Sequence, residues 1–161
     1  MSIATFYTDN RLAGTQQAIA AAYKTLVALT AATATLNRGQ LKDLFVGPDG
    51  TPAGTDGSIV YDVSRQTAAG TSTAATPNPN DPAASVTRAV GAVNFTAEGT
   101  ITAASSLWGM ALNQRASQRW VADPGAELVW PATNLAGLAL RALSPVYTGN
   151  AFGKTGHNDV S

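Results

Sequence analysis

Between Asn113 and Leu143 two apolar segments flank Asp123-Pro124-Gly125, and that turn constrains the fold more than any other stretch of the chain. Pro124 presets φ for the second residue of a tight turn, Gly125 accepts φ > 0 without steric cost, and the Asp123 side chain can bond the turn's own backbone. The pattern predicts a β-hairpin with Arg119-Trp120-Val121-Ala122 and Leu128-Val129-Trp130 as its arms. Trp120 and Trp130, one on each arm, then form a cross-strand aromatic pair, each ring burying on the order of 200 Å². Pro131 cannot donate to a ladder and closes the second arm; the chain resumes as a strand at Gly137–Leu143.

With 161 residues the chain makes one domain with a substantial core. Ten basic residues cancel ten acidic ones, and only 12% of the chain is charged, about half the usual share. Small neutral side chains must cover much of the surface, which suits packing against neighbours. A nucleic-acid partner is not expected, because no basic stripe exists to neutralise phosphates. No membrane is expected either: the longest apolar run, Ala18 to Thr35, is interrupted by Lys24, and the N-terminus lacks a charged-then-apolar leader pattern. The absence of cysteine rules out disulfides and thiolate sites.

Residues 1–15 read as an extended N-terminal arm carrying Ile3, Phe6 and Tyr7, apolar area with no local core to bury it. From 16 to 38 the pattern becomes helical. Leu12, Ile19 and Leu26 recur at heptad spacing, with Ala22, Leu29 and Leu36 between them, Thr15 as N-cap and Asn37-Arg38-Gly39 as C-terminal stop. Such a helix packs on the core or forms a coiled-coil seam between subunits. The β-branched Thr25, Val27, Thr30, Thr33 and Thr35 leave strand open for its second half.

Residues 39–152 are expected to form the β domain. Leu41–Val46 and Ser58–Val63 are short apolar segments predicted to pair across the Gly47–Gly57 loop, with Ile59, Tyr61 and Val63 on one buried face. The stretch 67–84 holds no large apolar side chain and reads as a long exposed loop. Val86–Val90, Ala92–Phe95, Thr100–Thr102, Ser106–Leu112 and Val146–Gly149 add strands. About eight short strands at regular spacing predict a mainly β domain, a β-sandwich or jelly-roll-like barrel, with one N-terminal α-helix. The polar end, 153–161, reads as a loose tail.

Chemistry-bearing patterns are sparse. His157, the single histidine, falls in that polar tail and reads as solvated. A Ser-His-Asp constellation and a phosphate loop are not legible, so no catalytic residue, cofactor or metal ligand is assigned and an enzyme is not expected. Asp43, Asp49, Asp56 and Asp62 lack EF-hand spacing and read as turn formers. Glu98 and Glu127 show no pairing of the kind glycoside hydrolysis requires. Trp108, Trp120 and Trp130 suit core or interface, with a sugar-binding face as the alternative.

The block Asn113 to Leu138, with Arg119-Trp120-Val121-Ala122, Pro124-Gly125, Pro131-Ala132-Thr133 and Asn134-Leu135-Ala136-Gly137, resembles a segment of small virion structural proteins of tailed bacteriophages. The resemblance implies a capsid decoration or cement protein. It would sit on the capsid exterior after synthesis in the host cytoplasm, bind the major capsid protein and bridge its subunits, often as a homotrimer. Ile3, Phe6, Tyr7, Ile19, Leu26, Trp120 and Trp130 are the expected interface residues. A head-fibre or tail-associated carbohydrate-binding module is the alternative.

Overall fold

The computed structural model describes residues 4–11 and 16–160. Among them are thirteen strands and no helix: β1 (Phe6–Asp9), β2 (Gln17–Ala18), β3 (Lys24–Ala31), β4 (Arg38–Asp49), β5 (Ser58–Ala68), β6 (Thr71–Ala75), β7 (Asn78–Pro79), β8 (Ala89–Ala97), β9 (Thr100–Asn113), β10 (Gln118–Val121), β11 (Leu128–Trp130), β12 (Gly137–Leu143) and β13 (Asn150–Val160). Two antiparallel sheets pack as a sandwich. One has seven strands in the order β10-β4-β13-β1-β7, with β11 also on β4 and β2 on β13; the other has six, β6-β8-β3-β12-β5-β9. The β-sandwich expectation holds, and several of the elements drawn within it do not.

The helix expected over 16–38 is absent. Its apolar run forms β3, whose Leu26, Val27, Ala28 and Leu29 are each at most 1% exposed. A helix buries one stripe, whereas a central strand covered on both faces buries consecutive residues, and the threonines and Val27 favour the strand. Ile19, Val27 and Leu29 join the main core between the sheets, while Ala28 belongs to a second cluster with Phe95 and Ala139. Thr15, assigned as N-cap, lies outside the described residues, as does Leu12.

Gly39 is not a helix stop. It pairs with Trp130 across β4 and β11, and a Cβ there would come within 1.9 Å of the indole. The missing side chain is the pit into which Trp130 packs, at 1% exposure.

The Asp-Pro-Gly turn forms, with Ala126 N–H donating to Asp123 O at 2.9 Å and Gly125 at φ 88°. It does not reverse the chain. β10 and β11 both pair antiparallel with β4, in register Gln118↔Val46 to Val121↔Asp43 and then Leu128↔Leu41 to Trp130↔Gly39. The loop between them leaves the track and returns to it, held by Glu127 accepting the Gly125 N–H at 2.9 Å. Trp120 and Trp130 therefore lie in line along one edge and do not face each other.

The expected pairing of Leu41–Val46 with Ser58–Val63 also fails. β4 and β5 belong to different sheets, and the Gly-rich connection between them crosses the sandwich. Ile59, Tyr61 and Val63 do share one face and are fully buried. The 67–84 stretch is largely exposed but contains β6, at an edge of the six-stranded sheet, and β7, at an edge of the other. β5 and β6 run on almost continuously, as do β8 and β9, so the two chains form one ribbon that leaves the sheet beside β12 and re-enters it beside β3. Phe95 and Ile101 from this ribbon cover Ala28 and Ala139 on the sheet's outer face.

The N-terminal arm and C-terminal tail pair with each other. Phe6↔His157 to Asp9↔Lys154 join β1 to β13, and β13 pairs with β4 along its whole length. The expected loose tail is thus a central strand. Ala151, Gly153, Thr155 and His157 face inward at period two, and the polar members have partners: Thr155 Oγ1 donates to Thr8 O at 3.2 Å.

Candidate binding face

The outward face of the seven-stranded sheet gathers aromatic and charged side chains that the sequence scatters over 150 positions. Cross-strand register creates the cluster: Arg119, Phe45 and Lys154 lie abreast on β10, β4 and β13, with Asp43, Gly156 and Tyr7 on β4, β13 and β1 beside them. Strand alternation explains the selection. Leu44 and Val46 point into the core, so Phe45 between them must point out, and Phe152 and Lys154 flank the inward Gly153 in the same way.

Arg119 grips Asp43 through two bonds, Nε to Oδ1 at 3.0 Å and Nη2 to Oδ2 at 2.8 Å. Those bonds hold the guanidinium more firmly protonated than usual. The Tyr7 hydroxyl lies 3.5 Å from Asp43 Oδ2, and Lys154 Nζ stands 4.8 Å from the centre of the Tyr7 ring. Tyr7, Asp43, Phe45, Arg119, Lys154 and Gly156 enclose an open cleft of about 460 Å³. Next to it Phe45 meets the edge of Phe152 at 5.7 Å, and Arg11 lies 4.9 Å over Phe152 while pairing with Asp49 at 3.3 Å. The Arg119 side chain is 61% exposed against 12% for Asp43. A guanidinium so placed is fixed in orientation: Asp43 occupies its Nε and Nη2 edge, while its remaining N–H groups and flat face stay open to solvent beside the aromatic rings.

A second polar cluster lies on the six-stranded sheet. Asp62 accepts from Arg141 Nε at 3.1 Å, Arg141 Nη2 at 2.5 Å, Ser64 Oγ at 2.6 Å and Ser106 Oγ. Tyr23 covers the guanidinium at 4.3 Å from its ring centre. Both serine hydroxyls donate to a carboxylate that is already engaged by the Arg141 guanidinium. This group ties β5, β9 and β12 together and is a structural ion pair.

All four aspartates of the sequence series find arginines: Asp43 with Arg119, Asp49 with Arg11, Asp56 with Arg115 and Asp62 with Arg141. They form ion pairs rather than a metal cluster, and among the described residues no three His, Cys, Asp or Glu side chains gather as metal ligands would.

Of the residues expected at an interface, Ile3 lies outside the described residues. Phe6, Ile19, Leu26 and Trp130 are each at most 3% exposed and belong to this chain's own core, so they are not free to dock on another molecule. The aromatics of the arm find that core because β13 lies alongside. Tyr7 and Trp120 remain accessible, Tyr7 on the face just described and Trp120 tilted against Trp108 with ring centres 6.1 Å apart. Phe45, Phe152, Arg11 and Lys154 were not singled out by sequence, and Arg119 entered only as part of the hairpin arm and the virion-like block. The signal was period two around Phe45 and Lys154, legible only once β4 and β13 are known to be strands.

His157 also departs from expectation. It is fully buried, stacked on Phe6 with ring centres 5.6 Å apart and meeting the Trp130 ring at 5.4 Å. Thr87 Oγ1 donates to Asp159 Oδ1 at 3.1 Å and stands 3.3 Å from His157 Nε2. With its one proton directed at Asp159, the hydroxyl accepts from the ring, which makes His157 the neutral Nε2–H tautomer. Burial lowers its pKa to about 4.

A scan of protein-family models matches none to this chain, and a search of curated proteins finds none with significant similarity.

Proposed function

We propose that the chain is a non-enzymatic structural protein of a tailed-phage virion, a decoration or cement protein working as a homo-oligomer on the capsid exterior. It seats the outer face of its seven-stranded sheet on the major capsid protein. The observation behind this reading is the grouping of Tyr7, Phe45 and Phe152 with Arg11, Arg119 and Lys154 on one sheet face. Tyr, Phe and Arg are the residues enriched where proteins bind proteins, and a rigid sheet presents them at little ordering cost. The likeness of the Asn113 to Leu138 block to virion proteins supports the same reading. The mechanism is mass action: a protein that binds only the assembled lattice raises the free energy needed to dismantle it.

Carbohydrate binding is the second reading, favoured by the cleft itself, where a fixed carboxylate–guanidinium pair stands beside the Tyr7 ring and hydroxyl. One experiment separates the two. Purified protein is pelleted with undecorated capsids, and a soluble glycan array serves as the comparison. The double variant Phe45→Ala with Lys154→Ala, which leaves the core untouched, is expected to lose at least about tenfold in capsid retention, while the array stays blank. Saturable glycan binding without capsid retention would promote the carbohydrate module. Retention indifferent to the double variant would discard this face.

A further inference from the structure

β9 is an edge strand that pairs with β5 and with no other strand of its sheet among the described residues. All fourteen of its residues, Thr100 to Asn113, are uncharged, and none is proline. Exposed edges are ordinarily blunted by lysine, proline or bulges, because unpaired N–H and C=O groups template another strand. The first half of β9 is protected in this way. Register shifts interrupt the β5 ladder from Val63 to Ala68, and Ala104 has φ 52°. The second half is bare and regular, running without a shift from Val63↔Trp108 to Ser58↔Asn113.

The orientation of its backbone groups follows from one bond. Gln114 N–H donates to Gly57 O at 2.9 Å, which makes Gly57 and Gln114 a hydrogen-bonded pair. Hydrogen-bonded and non-bonded pairs alternate in antiparallel ladders. Leu112, Met110 and Trp108 therefore bond inward to β5, leaving the N–H and C=O of Gly109, Ala111 and Asn113 directed at the open edge. All three of these residues are exposed. Trp108, Met110 and Leu112 lie opposite Val63, Tyr61 and Ile59 and share their core-facing side, yet they are only half-buried where their neighbours are fully buried. The apolar layer is incomplete along this edge.

A strand that pairs with its own copy must be self-complementary about a twofold axis. The segment Trp108-Gly109-Met110-Ala111-Leu112 reads large, small, large, small, large, with the same pattern in either direction from Met110. We propose that β9 is a strand-addition surface for a second copy of this chain, paired antiparallel about a twofold axis at Met110. In that register Gly109 and Ala111 of the second copy exchange backbone bonds, Trp108 packs beside the other copy's Leu112, and the two Met110 residues face each other. The two six-stranded sheets become one. This edge is separate from the outer face of the seven-stranded sheet, so the pairing stands whether or not that face binds a shell. It closes with two copies rather than three.

The chain contains no cysteine, so single introduced cysteines report register cleanly. A non-bonded antiparallel pair holds its Cα atoms about 4.5 Å apart, within the range a disulfide spans. Met110→Cys is expected to form a covalent dimer under mild oxidation, whereas Leu112→Cys, which lies opposite Trp108, is not. Light scattering should give a dimer for the wild type. Ala111→Pro, which removes an N–H that β5 does not use, should raise the dimer dissociation constant at least about tenfold. Monomeric wild-type protein at high concentration, a trimer indifferent to Ala111→Pro, or equal crosslinking of the two cysteine variants would each overturn the proposal.

Discussion

Ionic contacts in this protein divide by solvent access. Arg141 and Asp62 are 16% and 7% exposed and bonded to each other and to Ser64 and Ser106, so they act as a pin through three strands. Arg119 and Asp43 form a similar pair at the surface, where solvent screens such a bridge and leaves it little weight in stability; its value is the fixed direction of the guanidinium. His157 presents the opposite case, a titratable group held neutral between Phe6 and Trp130. Burial lowers its pKa from 6.5 to about 4. The unfolded chain binds a proton near 6.5 and the folded one only near 4, so this contribution is complete above pH 6.5 and is lost as the pH falls toward 4. The shift corresponds to about 3 kcal/mol. Urea denaturation across that window should show a declining midpoint, with a shallower decline in His157→Phe, which keeps the stack and removes the proton. Equal slopes in the two proteins would refute the assignment.

Legibility in the sequence varied from strand to strand, for physical reasons. β5 was readable because Ile59, Tyr61 and Val63 recur at period two, with the charged Asp62 breaking the apolar run between them. β3 was misread because burial on both faces erases alternation, and the leftover spacing of Ile19, Leu26 and Leu29 imitated a heptad. β13 was misread because polarity was equated with exposure, although Thr155, His157 and Asp159 each meet a partner distant in sequence, His157 through Nε2 alone. The turn at Pro124 was located correctly, but local chemistry specifies a bend and not which strand the next segment joins. The candidate face stayed hidden for the same reason, since four strands must be in register before its side chains meet. β1 carries a consequence of its own. Phe6 is 3% exposed and underlies His157, so truncation after Asn10 removes a strand rather than a free arm. The truncated chain should lose about 3 kcal/mol or more of unfolding free energy, the scale of burying one Phe side chain, read as a lower urea midpoint. Unchanged stability would mean that β1 does not pair as described.

At the scale of the whole molecule, the sandwich separates two surfaces: an aromatic and cationic sheet face, proposed to meet the capsid, and an uncharged strand edge, proposed to meet a second copy. The sheets hold both rigid without cysteine, and joining the chain termini in one ladder places Tyr7 and Lys154 side by side. The central claim, that the seven-stranded face meets the capsid, has a direct readout in the chain's lysines. Lys154 stands on that face, while Lys24 begins β3 in the opposite sheet and pairs with Glu98 at 3.8 Å. Amine labelling of free and capsid-bound protein, quantified residue by residue, tests it. The account predicts that Lys154 loses most of its labelling on binding while Lys24 keeps its own; protection of Lys24 with Lys154 still labelled at the free-protein level would contradict it.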